Sequence, residues 1–89
     1  MSLVQEQAID WMDQYDFLTE PDDELREAVE YEVEEGNIDV TDIPGISNRS
    51  AKAIEALREN AVDVIVDYIM HLRYDVLADY DWDAYWKNR

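Results

Sequence analysis

His71 is the only histidine of the 89-residue chain, and Asp63, Asp67, Asp75, Asp79 and Asp83 recur around it every four positions. Carboxylates flanking an imidazole at i±4 on a helix are residue types that can hold a divalent metal. Four residues, however, advance ~40° beyond a full α-helical turn. The series therefore winds around a helix instead of converging, so no metal and no other cofactor is expected, and His71 reads as a surface or core-edge side chain. Nucleophilic catalysis has little to draw on. There is no cysteine, and Ser2, Ser47 and Ser50 are the only serines. No Ser-His-Asp arrangement suggests itself, and the chain is expected to have no catalysis of its own.

Carboxylates are the abundant chemistry. Asp and Glu number 23 against 7 Lys and Arg, a formal net charge of −16, while 47 % of the chain is apolar. That apolar share is too high for a disordered acidic tail, because it can bury enough surface to offset chain entropy. The charge opposes binding to nucleic acid or to an anionic membrane, both of which are approached through basic groups. It is also unevenly placed: residues 1–45 hold 15 acids and one base, Arg26, whereas residues 46–89 hold eight acids and six bases. If the segment after Pro21 is helical, Asp23, Glu27 and Glu35 share one i+4 row, and Glu20, Glu24 and Glu32 the next, with a carboxylate about every 6 Å of rise. Asp22, Asp23, Glu24, Glu27, Glu30, Glu34, Glu35, Asp39 and Asp42 are the residues expected to meet a partner, which on charge grounds is a basic protein. An acidic helix face can also be simply a solvated face.

The elements that must position these groups follow from apolar spacing. Ser2 and Gln5 suggest a capping box, and Val4, Ala8, Trp11, Met12 and Tyr15 recur at helical intervals, predicting a first helix from Leu3 to Phe17 or Leu18. Thr19-Glu20-Pro21-Asp22 opens a second helix with acids in its first turn, and Gly36-Asn37 closes it. Its apolar stripe is thin: Leu25, Ala28, Val29 and Val33. Residues 38–46 read as an ordered loop around Pro44-Gly45, with Ile38 and Val40 turned inward. Ser47 is the expected cap of a third helix, with Ala51, Ile54, Leu57 and Ala61 on its apolar face and Asn60 at its end or bend. From Ala61 to Leu77 two adjacent registers are apolar, a face either central to a small bundle or shared with a second copy, which suggests a homodimer over a monomer. The segment Tyr80 to Trp86 is too short to decide between helix and extended chain; Trp82 is expected in the core and Trp86 in a mixed role. The expected fold is all-α, one domain over 1–89, a small bundle of three to four helices with an ordered Pro-Gly loop.

Residues 43–54, Ile-Pro-Gly-Ile-Ser-Asn-Arg-Ser-Ala-Lys-Ala-Ile, resemble the hairpin of the helix-hairpin-helix DNA-binding family, with Ser47 where that family has its second glycine. The resemblance implies phosphate contact through the amides of Gly45, Ser47 and Arg49 and the Lys52 side chain. The residues themselves read as a Pro-Gly turn feeding a Ser-capped helix, with Arg49, Lys52 and Arg58 together on that helix. In composition the chain resembles the acidic DNA-mimic antirestriction and anti-defence proteins of phages and plasmids, which are small, helical and rich in Tyr and Trp. That resemblance implies an inhibitor occupying the nucleic-acid-binding cleft of a host defence or DNA-handling protein, without direct nucleic-acid contact. The alternatives are a helix-hairpin-helix-like nucleic-acid-associated or adaptor domain from a halophile, and an acidic immunity protein or antitoxin. The N-terminus lacks the basic and apolar regions of a signal peptide, and no apolar run approaches ~20 residues. The expected location is the cytoplasm, that of the host cell for a phage-encoded chain.

Overall fold

The structure, a computed structural model, describes residues 3–87, the side chains of residues 3, 4, 85 and 86 excepted. Five α-helices follow one another and no strand occurs among the described residues: α1 Leu3–Asp13, α2 Asp22–Glu34, α3 Ala51–Arg58, α4 Ala61–His71 and α5 Trp82–Lys87. The protein is all-α, and α5, the short segment that spacing left open, takes the count past three or four. Two 3₁₀ turns, Val40–Asp42 and Ile46–Asn48, lie between α2 and α3. Ser2, of the suggested capping box, lies outside the described residues, while Gln5 Nε2 donates to the Val76 carbonyl at 3.0 Å.

The first helix is shorter than its apolar spacing predicts. Asp16 takes a left-handed φ of 62°. The Phe17 amide donates to Met12 O at 3.0 Å and the Asp16 amide to Asp13 O at 3.4 Å. This is the Schellman pattern, which normally places glycine at the left-handed position. Met12 and Phe17, at the two ends of this turn, are both fully buried. At the end of α2 the same device uses the expected residues: Gly36 has φ 75°, and Asn37 N donates to Glu32 O at 3.0 Å.

Ser47 does not cap the third helix. It lies within the second 3₁₀ turn, which starts after Gly45 at φ 89°, and Ser50 is the cap, its Oγ accepting the Ala53 amide at 3.2 Å. The extra turn that Gly45 allows moves the helix start by one turn. Ser50→Ala should therefore cost about 1 kcal/mol, and Ser47→Ala less than ~0.5 kcal/mol, a difference urea denaturation resolves.

The core is one cluster drawn from α1, α2, the first 3₁₀ turn, α4 and the segments that join them, with half-buried Ile46, Ile54 and Leu57 packed against it. Ile65 and Ile69 of α4 are fully buried, as are Leu25 and Val29 of α2, Met12, Phe17, Val40 and Leu77. Ile38 and Val40 do turn inward from the loop. Along α4, Asp63, Asp67 and His71 are exposed and the remaining positions are buried or half-buried. Its wide apolar face is thus the centre of the bundle. A π-helical turn, Leu72–Val76, extends α4, with Leu77 N donating to Leu72 O at 2.9 Å. In an unbroken α-helix residues five apart point ~140° from each other. The wider π turn lets Leu72 and Leu77 both reach the core. It also carries Arg73, whose Nη1 donates to Glu20 O at 2.8 Å beside the start of α2. Trp11 gathers Tyr15, Phe17 and Tyr68 at ring-centroid distances of 6.0, 5.9 and 5.7 Å. Trp82 is half-buried against the core, as the sequence suggests in part, and the Trp86 side chain lies outside the described residues.

Candidate anionic partner surface

The surface is built on α2. Leu25, Val29 and the half-buried Ala28 and Val33 fasten one side of this helix to the core. Asp22, Asp23 and Glu24 occupy its first turn, where carboxylates favour the helix dipole. On the side opposite Leu25 and Val29 stand Asp23, Glu27, Glu30 and Glu34, all exposed, flanked by Glu24 and Glu35. Successive members are three or four residues apart, so a carboxylate recurs about every 4.5–6 Å along ~16 Å of helix. Among the described residues none of these six side chains has a hydrogen-bond or ion-pair partner. Tyr31, 59 % exposed, sits among them. It is an exposed aromatic that the count of carboxylates overlooks, although its position four after Glu27 and four before Glu35 places it on the same face.

Three of the nine expected partner residues are engaged within the chain. Asp22 accepts the Tyr74 hydroxyl at 2.7 and 2.8 Å and lies 3.5 Å from Arg73 Nη2. Asp39 is clasped by Arg58, at 3.1 Å from Nε and 2.8 Å from Nη2, and takes the Thr41 hydroxyl at 3.0 Å. Asp42 Oδ2 accepts the Asp39 amide at 2.9 Å, which ties the first 3₁₀ turn. The Arg58 hydrogen bonds hold the Asp39 carboxyl below its ordinary pKa. Bonding to the Asp22 carboxylate keeps the Tyr74 phenol protonated to higher pH than usual. The sign for Asp39 follows: a lowered folded pKa stabilises above the unfolded value and is lost as pH falls through the lowered one. Arg58→Ala should move the Asp39 carboxyl titration upward, read by carbon-13 NMR, and should flatten this part of the acid dependence.

The cations are placed to match. Arg26 pairs with Asp63 at 2.6 Å, both more than half exposed, and such a pair adds little stability. Arg49, Lys52 and Arg58 do not form one patch on a helix. Arg49 precedes α3, its amide donating to Ile46 O at 3.0 Å, Lys52 is exposed in the first turn, and Arg58 is held by Asp39. Of the amides that the hairpin resemblance implies for phosphate, the Arg49 amide is therefore already used. His71 Nδ1 lies 2.9 Å from Asp75 Oδ2 on the exposed side of the molecule. Among the described residues no three His, Asp or Glu side chains are gathered as metal ligands, and no helix is long and apolar enough to cross a membrane.

Comparison with family models, with curated proteins and with solved structures returned no match. The functional reading therefore stands on the geometry above.

Proposed function

We propose that the protein is a non-catalytic inhibitor that occupies the nucleic-acid-binding cleft of a basic DNA-handling or defence protein in the cytoplasm. The observation that carries this is the row on α2: six exposed carboxylates with no partner among the described residues, on a helix whose other side is anchored in the core. A strand of duplex DNA presents a charge every ~3.4 Å of axis, within a factor of two of the carboxylate interval. The molecule measures 43 × 26 × 19 Å, a length of roughly 13 base pairs at that rise. A row that is rigid before binding keeps the entropy cost of association low. The reading applies to a single chain, and a homodimer would double the same charge.

The test is competition. The tagged protein is used to capture basic proteins from a bacterial lysate at low salt, and each captured protein is then titrated with duplex DNA. Mutually exclusive binding is the expected result. Simultaneous binding of DNA and this protein, or capture indifferent to salt, would overturn the reading.

A halophile's solvated surface makes a different prediction. Self-repulsion at −16 would leave such a chain unfolded until molar salt screened it. An inhibitor must fold near physiological ionic strength. The helical circular dichroism signal should therefore already be full at about 0.1 M salt, where the Debye length is ~10 Å.

A further inference from the structure

The α2 row would recognise only charge, yet a second feature on another part of the molecule has the chemistry to recognise a particular side chain. Ala8 and Trp11 of α1, Tyr68 of α4 and Leu72 of the π turn wall a cavity of about 210 Å³. Among the described residues Asp42 is its only charged lining residue, and Gln7 adds an amide. We propose that this pocket receives one arginine side chain of the partner, its methylenes against Trp11 and Leu72 and its guanidinium between the aromatic rings and Asp42. That the partner is a basic protein rests on the function proposed above.

The argument starts from size. Cofactor and drug-sized ligands occupy about 300–1,000 Å³, so this cavity suits a single long side chain. The chemistry of its walls then selects among side chains. Trp11 and Tyr68 are half-buried with ring centroids 5.7 Å apart and planes tilted by 59°, so they present a corner of two ring surfaces. A cation over such rings is attracted by their quadrupoles. Asp42 is exposed beside these apolar walls, so a long side chain with a cationic end can fill the walls with its methylenes and meet the carboxylate at its tip, which a purely apolar side chain cannot. Asp42 Oδ2 already accepts the Asp39 amide, and Oδ1 has no partner among the described residues, which leaves an acceptor for a charge-assisted bond. Guanidinium fits better than ammonium because it is planar, stacks on aromatic faces and is less strongly hydrated, so entering a partly apolar pocket costs it less. The net charge of −16 favours a cation at every such site. The pocket exists because the core brings together segments from α1, the first 3₁₀ turn and α4, so it is formed before a partner arrives.

The test needs no partner protein. N-acetyl-arginine N-methylamide is titrated into the isotope-labelled full chain, and the Trp11 indole N–H and the Tyr68 ring resonances are followed by NMR. Saturable shifts at both rings, with intermolecular NOEs from the probe's methylenes to Trp11, are expected. Asp42→Asn keeps an oxygen acceptor for the Asp39 amide but removes the charge, and should weaken the probe by about fivefold or more. A variant with Glu27→Gln, Glu30→Gln and Glu34→Gln should bind the probe about as well as the natural chain, within ~twofold. The α2 reading can thus fail without this one failing, and the reverse. Absence of a saturable shift would overturn the proposal. So would equal binding of the norleucine analogue, which would make the pocket merely apolar, or equal binding of the lysine analogue, which would remove the guanidinium assignment. NOEs in the natural chain decide the matter if Asp42→Asn disturbs the 3₁₀ turn.

Discussion

Phe17→Ala should be among the most destabilising single substitutions in the protein. The Phe17 ring is fully buried, lies 5.9 Å from Trp11 and 5.5 Å from Tyr15, and is the residue that closes the turn after α1. Removing a buried phenylalanine side chain costs about 3–5 kcal/mol. A chain of this length has a total stability of roughly 4–13 kcal/mol at ~0.05–0.15 kcal/mol per residue, and each kcal/mol shifts Tm by about 4–8 °C. The variant is therefore expected to lose at least ~12 °C in Tm. Phe17→Leu, which keeps most of the volume, should cost about 1.5 kcal/mol or less. Thermal and urea unfolding of the two variants measure this directly. A loss below ~1 kcal/mol for Phe17→Ala would show that Phe17 does not close the core.

Phe17 also shows where sequence reasoning stops. Its apolar spacing continues the periodicity of α1, so it reads as the last face of a helix; in the structure it is the first residue after a left-handed turn. Nothing marks that turn, because Asp16 occupies the place that Gly36 occupies after α2. Where the turn residue was glycine, the helix end was legible. The cap of α3 is not legible for a related reason: Ser47 and Ser50 are both good cap residues, and only the φ of Gly45 decides that a 3₁₀ turn comes first. The central position of α4 was legible as one of two alternatives, because apolar residues in adjacent registers demand cover on most sides. Its π turn was not, since one extra residue per turn leaves no mark in a segment where both registers are apolar.

The same division holds for the acidic surface. That Asp23, Glu27, Glu30 and Glu34 face solvent follows from the narrow Leu25/Val29 stripe alone, which leaves the rest of α2 outside. That Asp22 and Asp39 are taken up internally does not follow, because their partners are 52 and 19 residues away, Tyr74 and Arg58. Charge of either sign can be counted in a sequence. Whether it is already neutralised depends on contacts that only the fold creates. The Trp11–Tyr68 pocket is hidden for the same reason, its two rings coming from α1 and α4, which are far apart in sequence.

Neutralising Asp23, Glu27, Glu30 and Glu34 together, as Asp→Asn and Glu→Gln, should produce the largest functional loss while leaving the fold intact. These side chains make no bond among the described residues, so removing them relieves repulsion, which offsets the roughly 0.3–1 kcal/mol of helix-dipole stabilisation that Asp23→Asn gives up; the melting temperature should change little. Against a captured basic partner, each exposed charge pair is worth about 0.2–1 kcal/mol. Four together then lower affinity by roughly 4- to 10³-fold, mainly through slower association with a shallower dependence on salt. The necessary control removes charge elsewhere. Asp67→Asn, Asp79→Asn, Asp83→Asn and Glu6→Gln take away the same four charges from exposed positions outside α2. If the α2 row substitutes for a phosphate row, the control set should lose no more than a few-fold, because charges beyond a Debye length of ~8 Å contribute little. Surface plasmon resonance across a salt series separates the two sets. Equal losses would mean that the partner responds to the net field of the molecule and that α2 has no special part in it. A single residue carrying nearly the whole effect would equally exclude a row, since a row distributes its energy over its members.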